Sequence, residues 1–362
     1  YASISVLSAR LLWTTIQTIA LYRKNDKKSQ TNEPATSVII CARNEAPNLQ
    51  KHIPLICQQK YSNFEVVVVN DASTDNTEFV LRELEKKYSN LRHTIIHPDK
   101  KFDHGKKLAM TIGIKASKYD NLVLTDADCA PAGNLWLSGM VEKLQLKPIV
   151  LGYGAYKTKK GLLNRIIRFD TFQIAANYMT AARLGMPYMG VGRNLAYKKD
   201  IYQKAQGFKK HYHIESGDDD LLVNQMARRK NTTTNLNPVC FTYSEPKETF
   251  RQWVLQKKRH VGAGSAYRFI HKIFLSLIWA LTTATLPLLV IINLTNTKFY
   301  VEVLIFTATY LLLLIILWKF TMRKFREKGF LLLIPLFELI INTLPAILLT
   351  KKLIKRKQSK WS

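Results

Sequence analysis

Two carboxylates spaced i, i+2, Asp126 and Asp128, end the apolar run Leu122-Val-Leu-Thr125. In an extended segment that spacing points both side chains to one side, where together they can hold a hard cation and, through it, a diphosphate. Solvated aspartates in a strand-ending turn are the plainer reading of such a pair. The surroundings favour the metal and nucleotide site. Strand Ser37–Cys41 runs into Cys41-Ala-Arg-Asn-Glu45, and strand Phe64–Asn70 runs into Asn70-Asp-Ala-Ser-Thr-Asp75. Asp71, Ser73 and Asp75 each suit helix capping, but acid-bearing loops recurring at one edge of a sheet point to a shared site.

The elements that must position these loops are legible as an alternation. Further strands are expected at His93–His97, Leu122–Thr125 and Ile149–Gly154, with amphipathic helical runs such as Ala46–Gln58 and Thr74–Tyr88 between strands. Strands alternating with helices predict a parallel α/β sheet that binds ligands at its carboxyl ends. The four cysteines, Cys41, Cys57, Cys129 and Cys240, lack CxxC spacing and read as reduced, packed thiols.

The 362-residue chain carries 54 Lys and Arg against 26 Asp and Glu, a net charge of +28 that asks for an anionic partner. From Arg251 to Ser362 there are 18 basic and 3 acidic residues, interleaved with the longest apolar runs. Basic residues at the ends of apolar segments anchor them to anionic head groups, so membrane lipid accounts for much of the excess. No zinc-finger spacing, basic zipper or RNA-binding signature is present, and no nucleic-acid partner is expected.

Four segments are candidates for the bilayer: Ala2–Tyr22, Phe274–Asn293, Tyr300–Trp318 and Phe330–Thr350. The second and third have the length of a crossing, roughly 20 residues, and the first reads as an anchor. The fourth is interrupted by Pro335, Glu338, Asn342 and Pro345 and is followed by six basic residues between Lys351 and Lys360. The positive-inside rule then favours a re-entrant or interfacial segment over a fourth crossing. The expected organisation is an anchor over 1–22, a catalytic domain over 33–243, a juxtamembrane helical region over 244–272, a hairpin over 273–318, and a basic loop, apolar segment and tail over 319–362.

Seven pieces in order resemble the family 2 glycosyltransferases: Ser37-Val-Ile-Ile-Cys-Ala-Arg-Asn-Glu45, Val69-Asn-Asp-Ala-Ser-Thr-Asp-Asn-Thr77, Gly105-Lys-Lys-Leu-Ala109, Thr125-Asp-Ala-Asp128, Gly190-Val-Gly-Arg-Asn-Leu-Ala196, Gly217-Asp-Asp-Asp-Leu221 and Gln256-Lys-Lys-Arg-His260. The resemblance implies a GT-A fold, with a Rossmann-like, mixed but mainly parallel sheet, and an inverting transfer from a nucleotide-sugar, expected to be UDP-linked. It implies that Arg43, Glu45 and Asp71 hold the nucleotide and that Lys106 approaches the diphosphate. Asp126 would orient the nucleotide or donor sugar, and Asp128 would ligate Mg2+ or Mn2+ with Asp126 beside it.

Gly217-Asp-Asp-Asp220 resembles the family's catalytic acidic motif. Asp219 is the expected base, with Asp218 and Asp220 as the alternatives if the register slips by one residue. Three adjacent carboxylates repel, which raises at least one pKa and suits a base, while capping of the next helix by Asp218 is the plain alternative. Gln256, Arg259 and His260 resemble the QxxRW motif of polysaccharide synthases with His in place of Trp. They and Asn194 are expected at the acceptor and diphosphate. A basic juxtamembrane helix against lipid is the other reading of that stretch.

The smaller imidazole leaves processive elongation open while transfer to a lipid-linked or glycan acceptor stands. Three crossings leave a continuous polymer channel open unless chains assemble, so a partner subunit is one of the partners considered. A non-catalytic nucleotide-binding scaffold is the reading from outside the enzymes. The location implied is a bacterial inner membrane with the catalytic domain in the cytoplasm.

Leu162–Leu184 suits either an interfacial or a core helix. Trp136, Trp253 and Trp279 suit either sugar stacking or packing.

Overall fold

In the computed structural model, which describes residues 2–23, 33–97, 105–214 and 216–344, the chain divides into two units. One comprises Lys24–Lys157 and Ala181–Pro246, and the other Tyr1–Arg23, Thr158–Thr180 and Lys247–Ser362. The domain expected over 33–243 is therefore interrupted at 158–180, which belongs with the apolar helices.

The sheet unit follows helix α1 (Ala2–Tyr22) in the chain. It begins β1 (Thr36–Ala42), α2 (Ala46–Cys57), β2 (Phe64–Asp71), α3 (Thr77–Lys87), β3 (Leu91–Ile96), α4 (Lys106–Ala116), β4 (Asn121–Leu124) and β5 (Cys129–Pro131). It continues with α5 (Trp136–Leu146), β6 (Ile149–Leu151) and β7 (Gly154–Tyr156), and, after helix α6 (Leu162–Arg183), with β8 (Leu195–Lys198), α7 (Lys199–Lys204), α8 (Asp220–Met226), β9 (Thr232–Thr234) and β10 (Thr242–Ser244). Seven strands form one sheet in the order β3-β2-β1-β4-β8-β6-β9, and β5-β10-β7 form a second.

β3, β2, β1 and β4 are parallel, whereas β8 is antiparallel to both β4 and β6. This is the mixed, mainly parallel sheet of a GT-A fold. β1 and β2 are Val- and Ile-rich because helices cover both their faces. Val38 and Ile40 lie in a core with Leu49 and Ile53 of α2 and Trp136 of α5, while Val69 meets Ala109 of α4 on the other face. A Cβ on Gly113 would lie 2.7 Å from the Ile39 side chain, so the bare glycine lets α4 press against the sheet. That approach sets where the first turn of α4, with Lys106, stands.

In register, Ala42 pairs with Asn70 and Leu124 with Ile39, so the loops after β1, β2 and β4 leave from one edge. The strand expected over Ile149–Gly154 is divided into β6 and β7. Gly152 and Gly154 make the break: a Cβ on Gly152 would lie 2.5 Å from the Asn194 side chain, and one on Gly154 would lie 2.8 Å from Arg193 Cβ.

The other unit holds α1, most of α6, α9 (Phe250–Val261), α10 (Phe269–Thr295) and α11 (Tyr300–Lys324). Three of these, α1, α10 and α11, are long and apolar enough to cross a membrane, which makes this a multi-pass membrane protein. The third crossing, expected to stop at Trp318, runs on to Lys324, carrying Lys319, Arg323 and Lys324 on the helix. The fourth apolar segment is a shorter helix, Leu331–Leu344; Pro345 and the basic tail lie outside the described residues.

Charges inside this unit are paired, as a low dielectric requires. Arg10 and Glu338, both almost wholly buried, form one pair, and Arg168 and Glu327 another. Lys257 reaches both oxygens of Asp170 at 2.7 and 2.8 Å. Phe169 and Phe172 of α6 pack on Trp318 and Phe330, so the Leu162–Leu184 stretch is a packing helix here. Trp136 and Trp253 are likewise buried, and the partly exposed Trp279 donates to Asn342 O at 2.9 Å.

Candidate active site

The loops after β1 and β2 are stitched to each other. Asn44 N donates to Ser73 Oγ at 2.9 Å and Thr74 N donates to Asn44 Oδ1 at 2.8 Å. Asp75 accepts from Thr77 N at 3.0 Å and from Ala46 N at 3.3 Å, serving the first turns of α3 and α2 together. Asp75 thus serves helix starts, as the sequence allowed, whereas Ser73 bonds the loop after β1. Asn44 and Ala72 adopt positive φ, 56° and 49°, and Ala72 has no side chain that favours it, so the two loops are held in tight, strained turns. Asp71 is buried at the end of β2 and Arg43 is exposed at the loop surface, while Glu45 accepts from the Asn48 side chain at 2.6 Å.

Lys106, at the start of α4, is the hub. Its ammonium lies 2.7 Å from Asp126 and 3.0 Å from Asp218, joining the loop after β4 to the acidic loop before α8. Burial would lower its pKa, but the carboxylates of Asp126, Asp218 and Asp219 hold it well above the usual lysine range. Cys41, at the end of β1, is pushed far up by burial and lies in the field of Lys106, Asp126, Asp218 and Asp71, so these groups share one neighbourhood.

Asp126, Asp128 and Cys129 offer ligand atoms within 4.8 Å of one another. Two carboxylates are the donor set that Mg2+ or Mn2+ prefers, and the residues fit such an ion. Burial and then the repulsion of Asp126 raise the Asp128 pKa, against the opposing pull of Arg193. An ion at this pair would relieve that repulsion. The Cys129 thiol lies 3.0 Å from Ser244 Oγ and 3.4 Å from Asp128 Oδ1.

Asp219, rather than Asp218, caps α8: its carboxylate accepts from Asp220 N at 2.7 Å and from Gly192 N at 2.6 Å. Burial first, then Asp218 and Asp220, push its pKa up to about 7, against the pull of Lys106. Asp220 accepts from Leu221 N at 2.7 Å. The acidic loop therefore contains one carboxyl group poised to exchange a proton near neutrality. A Cβ on Gly192 would lie 3.3 Å from Lys106 Nζ and 3.5 Å from Asp219 Oδ2, so this backbone runs close against both groups.

Asn194 stands apart from its expected acceptor contact. Its side chain is fully buried, donates to Tyr153 O at 3.0 Å and Cys240 O at 2.7 Å, and accepts from Trp136 Nε1 at 3.1 Å. No donor is left for a sugar, and the residue ties strand ends together. Gln256 and Arg259 lie on α9 of the other unit, and the His260 side chain lies outside the described residues.

Arg193, just before β8, also belongs to this site. Its guanidinium stacks 4.5 Å from the Tyr156 ring centre and faces the charges of Asp128 and Asp126. A single Arg in a glycine-rich run carries no spacing signal. Only the antiparallel pairing of β4 with β8, Leu124 opposite Leu195, brings it to the metal pair.

A family model described as Glycosyl transferase family 2 matches residues 37–205, and one described as Glycosyl transferase family group 2 matches residues 131–322. The "Probable glycosyltransferase YdaM" of Bacillus subtilis is 25% identical over 253 residues, 67% of this chain and 57% of that protein. Glycosyltransferase AglE of Haloferax volcanii is 29% identical over 188 residues, 51% of this chain and 59% of that protein. The chain thus spans 57–59% of the length of these two relatives. Among solved structures, the mannosyltransferase PcManGT from Pyrobaculum calidifontis in complex with GDP-Man and Mn2+ has the same fold, with a TM-score of 0.64 at 18% identity over 95% of this chain and 96% of that one. With family models matching from residue 37 to residue 322, the chain belongs to glycosyltransferase family 2.

Proposed function

We propose that this protein transfers a sugar from a nucleotide-linked donor, a UDP-sugar in the first instance, to a lipid-linked or glycan acceptor at the cytoplasmic face of a bacterial inner membrane. The observation that carries the proposal is Lys106, which draws the Asp126 loop and the Asp218–Asp220 loop into one charged site. Asp71, Arg43 and Glu45 bind the nucleoside at the ends of β1 and β2. Asp126 and Asp128 hold Mg2+ or Mn2+, which when bound supplies positive charge to the leaving diphosphate. Lys106 exchanges its carboxylate partners for the diphosphate as the donor enters, a point charge moving from one set of anions to another.

Asp219 accepts the proton of the acceptor hydroxyl. The new bond forms between that oxygen and the anomeric carbon, the bond from that carbon to the diphosphate breaks, and the configuration inverts. Gln256, Arg259 and His260 serve the acceptor and diphosphate. The apolar helices keep the catalytic unit at the membrane, where a lipid-linked acceptor is presented.

The test is release of nucleoside diphosphate from a panel of UDP- and GDP-sugars by detergent-solubilised protein, with and without Mn2+, beside Asp128→Asn. Metal-dependent release abolished by the substitution supports the proposal, and product length then separates single transfer from processive synthesis. Tight nucleotide binding with no release from any donor, lipid extract included, would overturn it in favour of a binding scaffold.

A further inference from the structure

Lys106 and Lys107 open α4 side by side, yet they face different parts of the molecule. Lys106 meets the carboxylates. Lys107 is 6% exposed and its ammonium donates to two backbone carbonyls of the segment before the acidic loop, His211 O and Ile214 O, each at 2.6 Å. These carbonyls lie on consecutive turns: His211 N donates to Phe208 O at 3.0 Å, and Ile214 N donates to His211 O at 3.2 Å.

We propose that Lys107 is a positioning residue that clamps the segment 208–214, and through it the acidic loop Gly217–Asp220, to the helix that carries Lys106. The inference rests on the transfer reading above for its catalytic consequence, but not for the clamp itself. At one end of the segment, Phe208 is buried edge-on against Tyr202, with ring centres 5.6 Å apart. At the other, Asp219 is fixed by the Gly192 amide. Between them, the two Lys107 bonds tie this stretch to the sheet unit's α4. A buried ammonium is stable only if its hydrogens are accepted, and charge-assisted bonds to carbonyls are roughly twice as strong as neutral ones.

The two adjacent lysines therefore set one distance. Lys106 reaches from α4 to Asp218, and Lys107 holds the backbone that delivers Asp218 and Asp219 to that reach. The proposed nucleotide contacts lie on the ends of β1, β2 and β4 and on Lys106, outside the clamped segment. Loosening the clamp is then expected to impair the chemical step more than donor binding.

The experiment compares wild type, Lys107→Met and Lys107→Arg in detergent, by amide hydrogen exchange over residues 208–214 and by steady-state kinetics. The methionine keeps the unbranched apolar stem and removes the ammonium and its donors, whereas the planar guanidinium can still donate to both carbonyls. Lys107→Met is expected to exchange at least tenfold faster in this segment and to lose at least tenfold in kcat, with KM for the donor and nucleotide affinity changed less than threefold. Lys107→Arg is expected to restore protection and most of kcat.

Unchanged exchange in Lys107→Met, or a loss of nucleotide affinity as large as the loss of kcat, would overturn the proposal. If Lys107→Met does not fold, Lys107→Leu, which also lacks donors, carries the same comparison. A wild type that exchanges slowly here but turns nothing over would sink the transfer reading while the exchange data still decide the clamp.

Discussion

The acidic loop makes a pH prediction that can be worked through. Burial, Asp218 and Asp220 lift Asp219 from the ordinary 3.8 to about 7. At ~1.36 kcal/mol per pH unit, that difference makes the ionised form about 4 kcal/mol costlier in the folded protein than in water, an upper figure because the side chain is partly exposed. A general base must be ionised. At pH 6 roughly one molecule in ten carries the ionised group, so kcat/KM should lie about tenfold below a plateau reached near pH 8. Asp218→Asn removes the nearest repelling charge and frees Lys106 for Asp219, so the midpoint should fall by about one pH unit.

The linkage for stability has the opposite sense. The folded-state value lies above the unfolded one, so this group's contribution is fully present below about pH 4 and is lost as pH rises through about 7. Asp219→Asn, which keeps the helix cap, should therefore raise the melting temperature at pH 8 and leave it unchanged at pH 4. The assay is donor turnover from pH 5 to 9, with Mn2+ titrated to saturation at each pH because the Asp128 pKa is raised as well, together with thermal melts of wild type and Asp219→Asn. A rate that is flat from pH 5 to 8, or a midpoint indifferent to Asp218→Asn, would refute the electrostatic reasoning.

Asn194→Leu strands the Tyr153 and Cys240 carbonyls and the Trp136 indole, and should cost about 2–4 kcal/mol in denaturant melts; if Asn194 instead served the acceptor, KM for the acceptor would rise with stability intact. Arg193→Met leaves Asp128 without its facing cation and should change the Mn2+ concentration needed for half-maximal turnover severalfold, with Tyr156 and the fold in place by circular dichroism. Arg10→Met leaves a buried Glu338 unpaired and should destabilise the helical unit by about 3–5 kcal/mol, whereas Arg10→Met with Glu338→Met should recover most of the loss in a detergent melt.

How much of this was legible in the sequence depended on the kind of signal. β1, β2 and β4 read clearly because a strand buried on both faces must be a Val, Ile and Leu run. β8 did not, because four residues within a glycine-rich stretch carry no period, and its antiparallel direction is set by its partners. The expected single strand over Ile149–Gly154 failed where two glycines admit the side chains of Asn194 and Arg193, a tertiary demand invisible along the chain. α11 outran its apolar core because Lys and Arg at a helix end keep their charge in water while the helix continues.

The site divides the same way. Asp126, Asp128 and the Asp218–Asp220 triplet are marked by type and spacing, but Lys106 and Lys107 are two like residues side by side in sequence. One meets carboxylates and the other carbonyls, and only the fold tells them apart. Capping, the plain alternative for Asp218, falls to Asp219, because Asp218 is drawn to Lys106.

The most direct test of the proposed transfer is a comparison of wild type and Asp219→Asn in nucleotide binding and single-turnover release at pH 8 with Mn2+. The account predicts equal affinity for the nucleotide and a fall in release of at least a hundredfold in the variant. Release by Asp219→Asn at the wild-type rate would contradict it.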